Sequence, residues 1–206
     1  MNRYSQEQNA WKNILPYENL MRHAYKKAHW LRIYLFGDTE HYALSKDYGS
    51  MHFKGNTVLD IGSGFGETAE LFLDKKARYV YGYDMSRKAV EYAKERGDAL
   101  DMQAAFYCKE LKIGDLQKLI RKHKLRNAIL KMDIEGGEYD VLLSCPKDIL
   151  HYAFSEIGIE YHYGYLDLER WLVDAGYEVE HTPPIATDHG HIFGMLHAKA
   201  KRIGAT

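Results

Sequence analysis

Three glycines at alternate positions, Gly62, Gly64 and Gly66, directly follow the short run Val58-Leu59-Asp60-Ile61, which is apolar except for Asp60. Glycine lets the backbone turn sharply and lets a ligand approach it without meeting a Cβ atom. From Thr68 onward the residues have helical spacing, and the first N–H groups of such a helix would point back at the turn. We therefore expect a strand, a turn and a helix that bind a nucleotide-like ligand, in preference to a purely structural turn.

The spacing of the glycines distinguishes two classes of nucleotide site. A dinucleotide-binding turn has the pattern G-x-G-x-x-G, and its third place here is Glu67. The pattern present, D-x-G-x-G-x-G, resembles the first motif of class I S-adenosylmethionine (SAM)-dependent methyltransferases. That resemblance implies an acid after the second strand that binds the ribose hydroxyls, and Asp84 stands there. The SAM-binding residues that it implies are Asp60, Gly62, Ser63, Gly64, Asp84, Met85 and Asp133.

A second motif places two acids, Asp133 and Glu135, at alternate positions where a later strand ends. In open α/β sheets ligands lie outside the carboxyl ends of the strands, so both acids could reach one pocket. The pattern from Lys131 to Leu142, K-x-D-I-E-G-x-E-x-x-V-L, resembles the hallmark of FkbM-type methyltransferases. The segment 157–162 resembles the fifth strand of that family, in which an acid precedes a histidine.

Methyl transfer from SAM needs two reactants in line and a site free of water, because the activation resides in the sulfonium of the cofactor. A hydroxyl acceptor also needs a base for its proton, whereas a ring nitrogen with a free lone pair does not. The sequence leaves both acceptors open. The predicted catalytic residues are Asp133, Glu135 and His162. The predicted substrate-binding residues are Glu135, Glu160, Tyr161 and His189.

The candidate residues do not have the close spacing of a metal-binding motif. Some methyltransferases use Mg²⁺ to orient a catechol-like acceptor, and the carboxylates and histidines named above are suitable ligand types. They are nevertheless scattered along the chain. The sequence alone therefore predicts no metal site.

Strands and helices must alternate to bring these residues together, which argues for a parallel sheet with helices on both faces. We expect strands at 104–108, 128–133, 157–162, 177–180 and 192–197. The predicted helix caps are Ser86, Gly97, Asp115 and Gly176. The resemblance implies the Rossmann-like class I methyltransferase fold, an α/β fold with a seven-stranded, mostly parallel sheet whose last strand is antiparallel.

The N-terminal part of the chain has a different character. From Tyr17 apolar residues recur at helical spacing, and the opposite side carries basic residues between Arg22 and Arg32. We expect an N-terminal helical extension at 1–52 and the methyltransferase domain at 53–206. A second basic stripe runs from Lys118 to Arg126.

Composition bounds the function. The 206 residues carry a net charge of -1, which gives no global electrostatic case for nucleic acid. The chain has no membrane-length apolar run, and its two cysteines fit a cytoplasmic protein.

We expect an enzyme of the methyltransferase class (EC 2.1.1), FkbM-like, that O-methylates a small molecule or sugar. Two alternatives stay open: an RNA (tRNA or rRNA) methyltransferase that uses the basic stripes, and a non-catalytic SAM-binding module. The oligomeric state is not predicted.

Overall fold

The computed structural model describes residues 46–186 and 192–201. The helix predicted from Tyr17, its basic stripe and the predicted substrate residue His189 lie outside these ranges. The strands are β1 (Thr57–Ile61), β2 (Tyr79–Asp84), β3 (Ala104–Cys108), β4 (Ala128–Met132), β5 (Phe154–His162), β6 (Tyr177–His181), β7 (Ile185–Ala186) and β8 (Ile192–Ala200). The helices are α1 (Glu67–Asp74), α2 (Arg87–Leu100), α3 (Asp115–His123), α4 (Glu138–Leu143), α5 (Lys147–Ala153) and α6 (Leu166–Asp174).

The strands form one sheet in the order β3-β2-β1-β4-β5-β8-β6. Neighbours from β3 to β5 are parallel, whereas β8 is antiparallel to both β5 and β6. The order reverses between β1 and β4, and a parallel sheet binds ligands outside the carboxyl ends of its strands at such a point. The predicted Rossmann-like fold, with its antiparallel last strand, is confirmed.

One strand was not predicted. The two residues of β7 pair with β8 beside the seven-stranded path, in the connection between β6 and β8. The connection is polar and contains Pro183-Pro184, which are features of a loop. A two-residue strand has too little periodicity to be recognised from sequence.

The predicted helix ends were right at some positions and wrong at others. Ser86 caps α2 through its hydroxyl, which accepts a hydrogen bond from the backbone N–H of Ala89. The end predicted at Gly97 is wrong, because α2 continues to Leu100. Asp115 is the first residue of α3 rather than its cap.

Apolar side chains cover both faces of the sheet. Along β1, Leu59 and Ile61 pack into one core cluster, and Val58 packs into the other. The second cluster also includes Tyr48 and Phe53, which precede β1. This alternation of period two places helices on both faces and leaves the strand ends to form the site. Within the described ranges, no helix has the length and apolar character needed to cross a bilayer.

Candidate functional site

The glycine turn lies directly against the end of β4. Gly62 has φ +78°, and a Cβ atom at this position would lie 1.7 Å from the backbone oxygen of Asp133. The backbone N–H groups of Gly62 and Ser63 both donate to the Tyr83 carbonyl oxygen, at 2.8 and 3.1 Å. Only glycine fits at 62, because both the φ angle and the close approach of the Asp133 backbone exclude a side chain.

Asp84 closes the other side of the turn. Its Oδ2 accepts a hydrogen bond from the Gly64 N–H at 3.0 Å, and its Oδ1 accepts one from the Ser86 N–H at 2.7 Å. Asp84 therefore lies where the resemblance predicts a ribose-binding acid. Met85 is 74 % exposed beside it, whereas Ser63 is buried.

Asp60 lies beneath the turn and is fully buried. One oxygen accepts a hydrogen bond from the Thr68 hydroxyl, and the other lies 3.2 Å from the ammonium of Lys131. Of the residues predicted to bind SAM, Asp60 thus shapes the turn from below instead of lining its surface.

Lys131 is a central residue of the site that the sequence reasoning did not identify. Its ammonium is buried, donates to the Gly62 carbonyl oxygen at 2.5 Å and lies 3.9 Å from Asp133 Oδ2. Burial opposes the charged form, but Asp60 and Asp133 outweigh it and raise the pKa of Lys131 above its usual value. The signal was present in the sequence: a lysine in the middle of an otherwise apolar strand.

The three predicted catalytic residues converge at the ends of β4 and β5. Asp133, Glu135 and His162 each contribute a polar atom, and these atoms all lie within 4.8 Å of one another. His162 Nε2 is 3.5 Å from Glu135 Oε2, and His162 Nδ1 is 3.1 Å from Glu138 Oε1. The hydrogen bond to Glu138 raises the pKa of His162 to about 9, against the opposing effect of burial.

Glu138 is a second residue of the site that the sequence reasoning did not identify. It is the first residue of α4, is fully buried, and accepts a hydrogen bond from the Ile134 N–H at 2.8 Å as well as contacting His162. It therefore fixes both the turn after β4 and the orientation of the histidine.

Glu160 adds another carboxylate to the surroundings of this cluster. Burial and the Asp133 charge raise the pKa of Glu160 to about 7. Burial also raises the pKa of Asp133, and it outweighs the opposing charges of Lys131 and His162. The site thus concentrates acids in a partly buried place, which is typical of functional sites.

Two residues at the exposed side of the cluster have backbone φ angles in the left-handed region. Glu135 has φ +56° and a side chain that is 85 % exposed, and Tyr163 has φ +72°. The Tyr163 ring packs over Gly136, where a Cβ atom would lie 2.5 Å from it. Such strained residues concentrate at functional sites.

Tyr161 does not join the site. Side chains alternate along a strand, so Tyr161 points away from the face that Glu160 and His162 share. It is buried in the core, and its hydroxyl donates to the Thr182 carbonyl oxygen at 2.9 Å. Its predicted substrate role is corrected to a structural one, because the residue is fully buried.

Two protein-family models match the chain. The model described as methyltransferase domain matches residues 58–119, and the model described as methyltransferase FkbM domain matches residues 109–198. The first match covers the glycine turn and Asp84, and the second covers the cluster at the ends of β4 and β5. No curated protein is significantly similar to the chain in sequence.

Solved methyltransferase structures share the fold at low sequence identity. TrmK of M. capricolum, in complex with S-adenosyl-homocysteine, is 14% identical, with a TM-score of 0.58 over 80% of this chain and 72% of that one. The ribosomal protein L11 methylase of Lactobacillus delbrueckii subsp. bulgaricus is 17% identical, with a TM-score of 0.55 over 81% of each chain. The SAH-bound magnesium protoporphyrin IX methyltransferase of Synechocystis is 18% identical, with a TM-score of 0.53 over 85% and 94%.

Proposed function

We propose that the chain is a SAM-dependent methyltransferase that O-methylates a small molecule or sugar. The matches to the methyltransferase and FkbM domain models and the class I fold support this proposal. The observation that carries this proposal is the convergence of Asp133, Glu135 and His162 beside the glycine turn. A hydroxyl acceptor requires a group that takes its proton, and this cluster supplies carboxylates for that purpose.

The cofactor would lie over the turn between β1 and α1. Asp84 would bind the ribose hydroxyls, since its carboxylate already lies beside the turn at Gly64. Gly62 and Gly64 would allow the backbone to approach the cofactor, with Met85 on the exposed side. Asp133 follows β4, the strand next to β1, and would contact both the cofactor and the acceptor.

In the reaction, the acceptor oxygen forms a bond to the SAM methyl carbon as the bond from that carbon to sulfur breaks. The electron pair stays on sulfur, which gives S-adenosylhomocysteine, and the hydroxyl proton passes to a carboxylate of the cluster. Asp133, Glu135 and His162 are the proposed catalytic residues. Glu160 is proposed to bind the acceptor. Lys131 holds Asp133 and the glycine turn in fixed positions.

The basic stripe from Lys118 to Arg126 is less suited to this site. It covers α3 and the turn before β4. A parallel crossover ends at the amino end of the next strand, opposite the carboxyl ends. Within it, Lys118 pairs with Asp115, and the Lys122 ammonium lies 4.2 Å from the centre of the Tyr107 ring. These contacts favour a small acceptor over RNA.

Methyl transfer from radiolabelled SAM into two extract fractions, bulk RNA and small metabolites, tests this proposal. We expect label in small molecules with the wild type, and loss of that label with SAM binding retained in Glu135→Gln. The matched control is Glu110→Gln, which changes an exposed acid outside the site and should behave as wild type. Label that ribonuclease releases would replace the acceptor with RNA, and SAM binding without label in either fraction would favour the non-catalytic alternative.

A further inference from the structure

The cluster has the composition of a metal site. Asp133, Glu135 and His162 offer two carboxylate oxygens and one imidazole nitrogen within 4.8 Å of one another. Two ligand atoms on opposite sides of an ion, each with a bond of about 2.1 Å, are about 4.2 Å apart. Only small side-chain movements are therefore needed for all three ligand atoms to bind one ion. Glu135 is 85 % exposed and is free to make such a movement.

The histidine is held as metal-binding histidines are held. Nδ1 faces Glu138 Oε1 at 3.1 Å, which leaves Nε2 directed toward Glu135. A carboxylate on one ring nitrogen fixes the tautomer and orients the other nitrogen toward an ion. The Glu138 contact thus prepares Nε2 as a ligand.

Glu138 provides a second, independent observation. It is fully buried, and its Oε2 has no hydrogen-bond partner within the described part of the chain. A buried carboxylate requires positive charge close by. Lys131 lies near Asp60, Gly62 and Asp133, so the positive charge beside Glu135 and Glu138 must come from the side of His162, as a proton or as a metal ion.

We propose that Asp133, Glu135 and His162 bind a divalent metal ion. Mixed oxygen and nitrogen ligands suit Mn²⁺ or Zn²⁺, and Mg²⁺ would bind through the carboxylates and water. Three protein ligands leave positions open on the ion for an acceptor. The spacing in sequence does not predict this site, because His162 lies on a different strand from the two acids.

A metal ion here would define the class of acceptor, a consequence that rests on the proposed O-methylation. An ion with open positions binds two adjacent oxygens, as in a vicinal diol, a hydroxy acid or a catechol. It would also favour loss of the hydroxyl proton, which Glu160 could accept, before the oxygen attacks the SAM methyl carbon. The ion keeps its oxidation state throughout.

Binding of Mn²⁺ to the full-length protein tests the site without SAM or acceptor, so the result does not depend on the proposed function. After treatment with EDTA, the protein is titrated with Mn²⁺, and the free ion is measured by electron paramagnetic resonance. We expect saturable binding with one site, at least 10-fold weaker in Glu135→Gln and His162→Gln, and unchanged in Glu110→Gln. Circular dichroism confirms that each variant is folded, and Glu135→Gln changes an exposed side chain.

The highest dissociation constant that we would accept for a functional site is about ten-fold below 1 mM. The absence of binding at 1 mM Mn²⁺ would therefore overturn the proposal. Equal binding by wild type, Glu135→Gln and His162→Gln would overturn it as well. If Mn²⁺ binds as expected but EDTA leaves the radiolabel transfer unchanged, the ion does not bridge the acceptor, and that consequence is refuted.

Discussion

Replacing Lys131 with methionine should destabilise the protein more than any change at an exposed residue of the site. Methionine keeps most of the apolar stem of lysine, so the change removes the ammonium with little loss of packing. Asp60 is fully buried and lies 3.2 Å from that ammonium. Removing one partner of a buried ion pair costs about 3–5 kcal/mol, because the other charge is left without compensation.

The same variant should lose affinity for SAM. The Lys131 ammonium donates to the Gly62 carbonyl oxygen at 2.5 Å and thereby holds the turn against the end of β4. Urea denaturation followed by circular dichroism measures the free energy of unfolding, and calorimetry measures the dissociation constant for SAM. A loss of about 3–5 kcal/mol is a large part of the total stability of a domain, so both measurements are best made at low temperature.

A double-mutant cycle separates the ion pair from other effects. Asp60→Asn keeps an oxygen for the Thr68 hydroxyl but removes the charge that Lys131 neutralises. If the two charges stabilise each other, the double variant should be more stable than the sum of the single losses predicts, by about 1–3 kcal/mol. A Lys131→Met cost below about 1 kcal/mol, or costs that simply add, would refute this reasoning.

Three further predictions concern the turn and one helix. Asp84→Ala should weaken SAM binding markedly, and calorimetry showing unchanged affinity would contradict the ribose assignment. Gly62→Ala should lose far more stability than Gly55→Ala: both positions have φ near +78°, but only the Cβ at 62 meets the Asp133 backbone. Equal urea midpoints would argue against that clash. Asp115→Asn should cost about 1–2 kcal/mol at pH 7. Lysine hydrogen bonds outweigh burial and lower the pKa of Asp115, so this difference should hold down to about pH 5 and shrink near pH 4. A difference independent of pH would exclude the charge as its cause.

Local patterns predicted the parts of the site that depend on neighbouring residues. The turn with its flanking strand and helix could be predicted, because glycine spacing and apolar periodicity are visible within about ten consecutive residues. Asp84 could be placed because a parallel sheet brings the ends of adjacent strands together. Asp133 and Glu135 were named for the same reason, whereas His162 was named from the resemblance of segment 157–162 to the fifth strand of the FkbM family.

Contacts between distant residues could not be read in this way. A buried lysine in β4 signals that a partner exists, but the sequence does not show that this partner is Asp60, which precedes it by 71 positions. The role of Glu138 toward His162 was missed because the two residues are 24 positions apart in the chain. Gly97 was misassigned because glycine in a helical pattern indicates a helix end, whereas here α2 continues through it to Leu100.

The positions of the acids follow from the register of two adjacent strands. Ile61 of β1 pairs with Met132 of β4, so the glycine turn and Asp133 leave the sheet side by side, about 4.8 Å apart. Lys131 and Asp133 are two residues apart and share a face, which lets one ammonium lie near Asp60, Gly62 and Asp133 together. Methyl transfer needs reacting atoms about 3–3.5 Å apart and in line. A rigid link between the cofactor turn and the acceptor acid serves that requirement, because any movement of the turn moves the acid with it. For this reason we expect substitutions at Lys131 to affect SAM affinity and turnover together, whereas substitutions at Glu135, which is exposed at the far side of the cluster, should affect turnover alone.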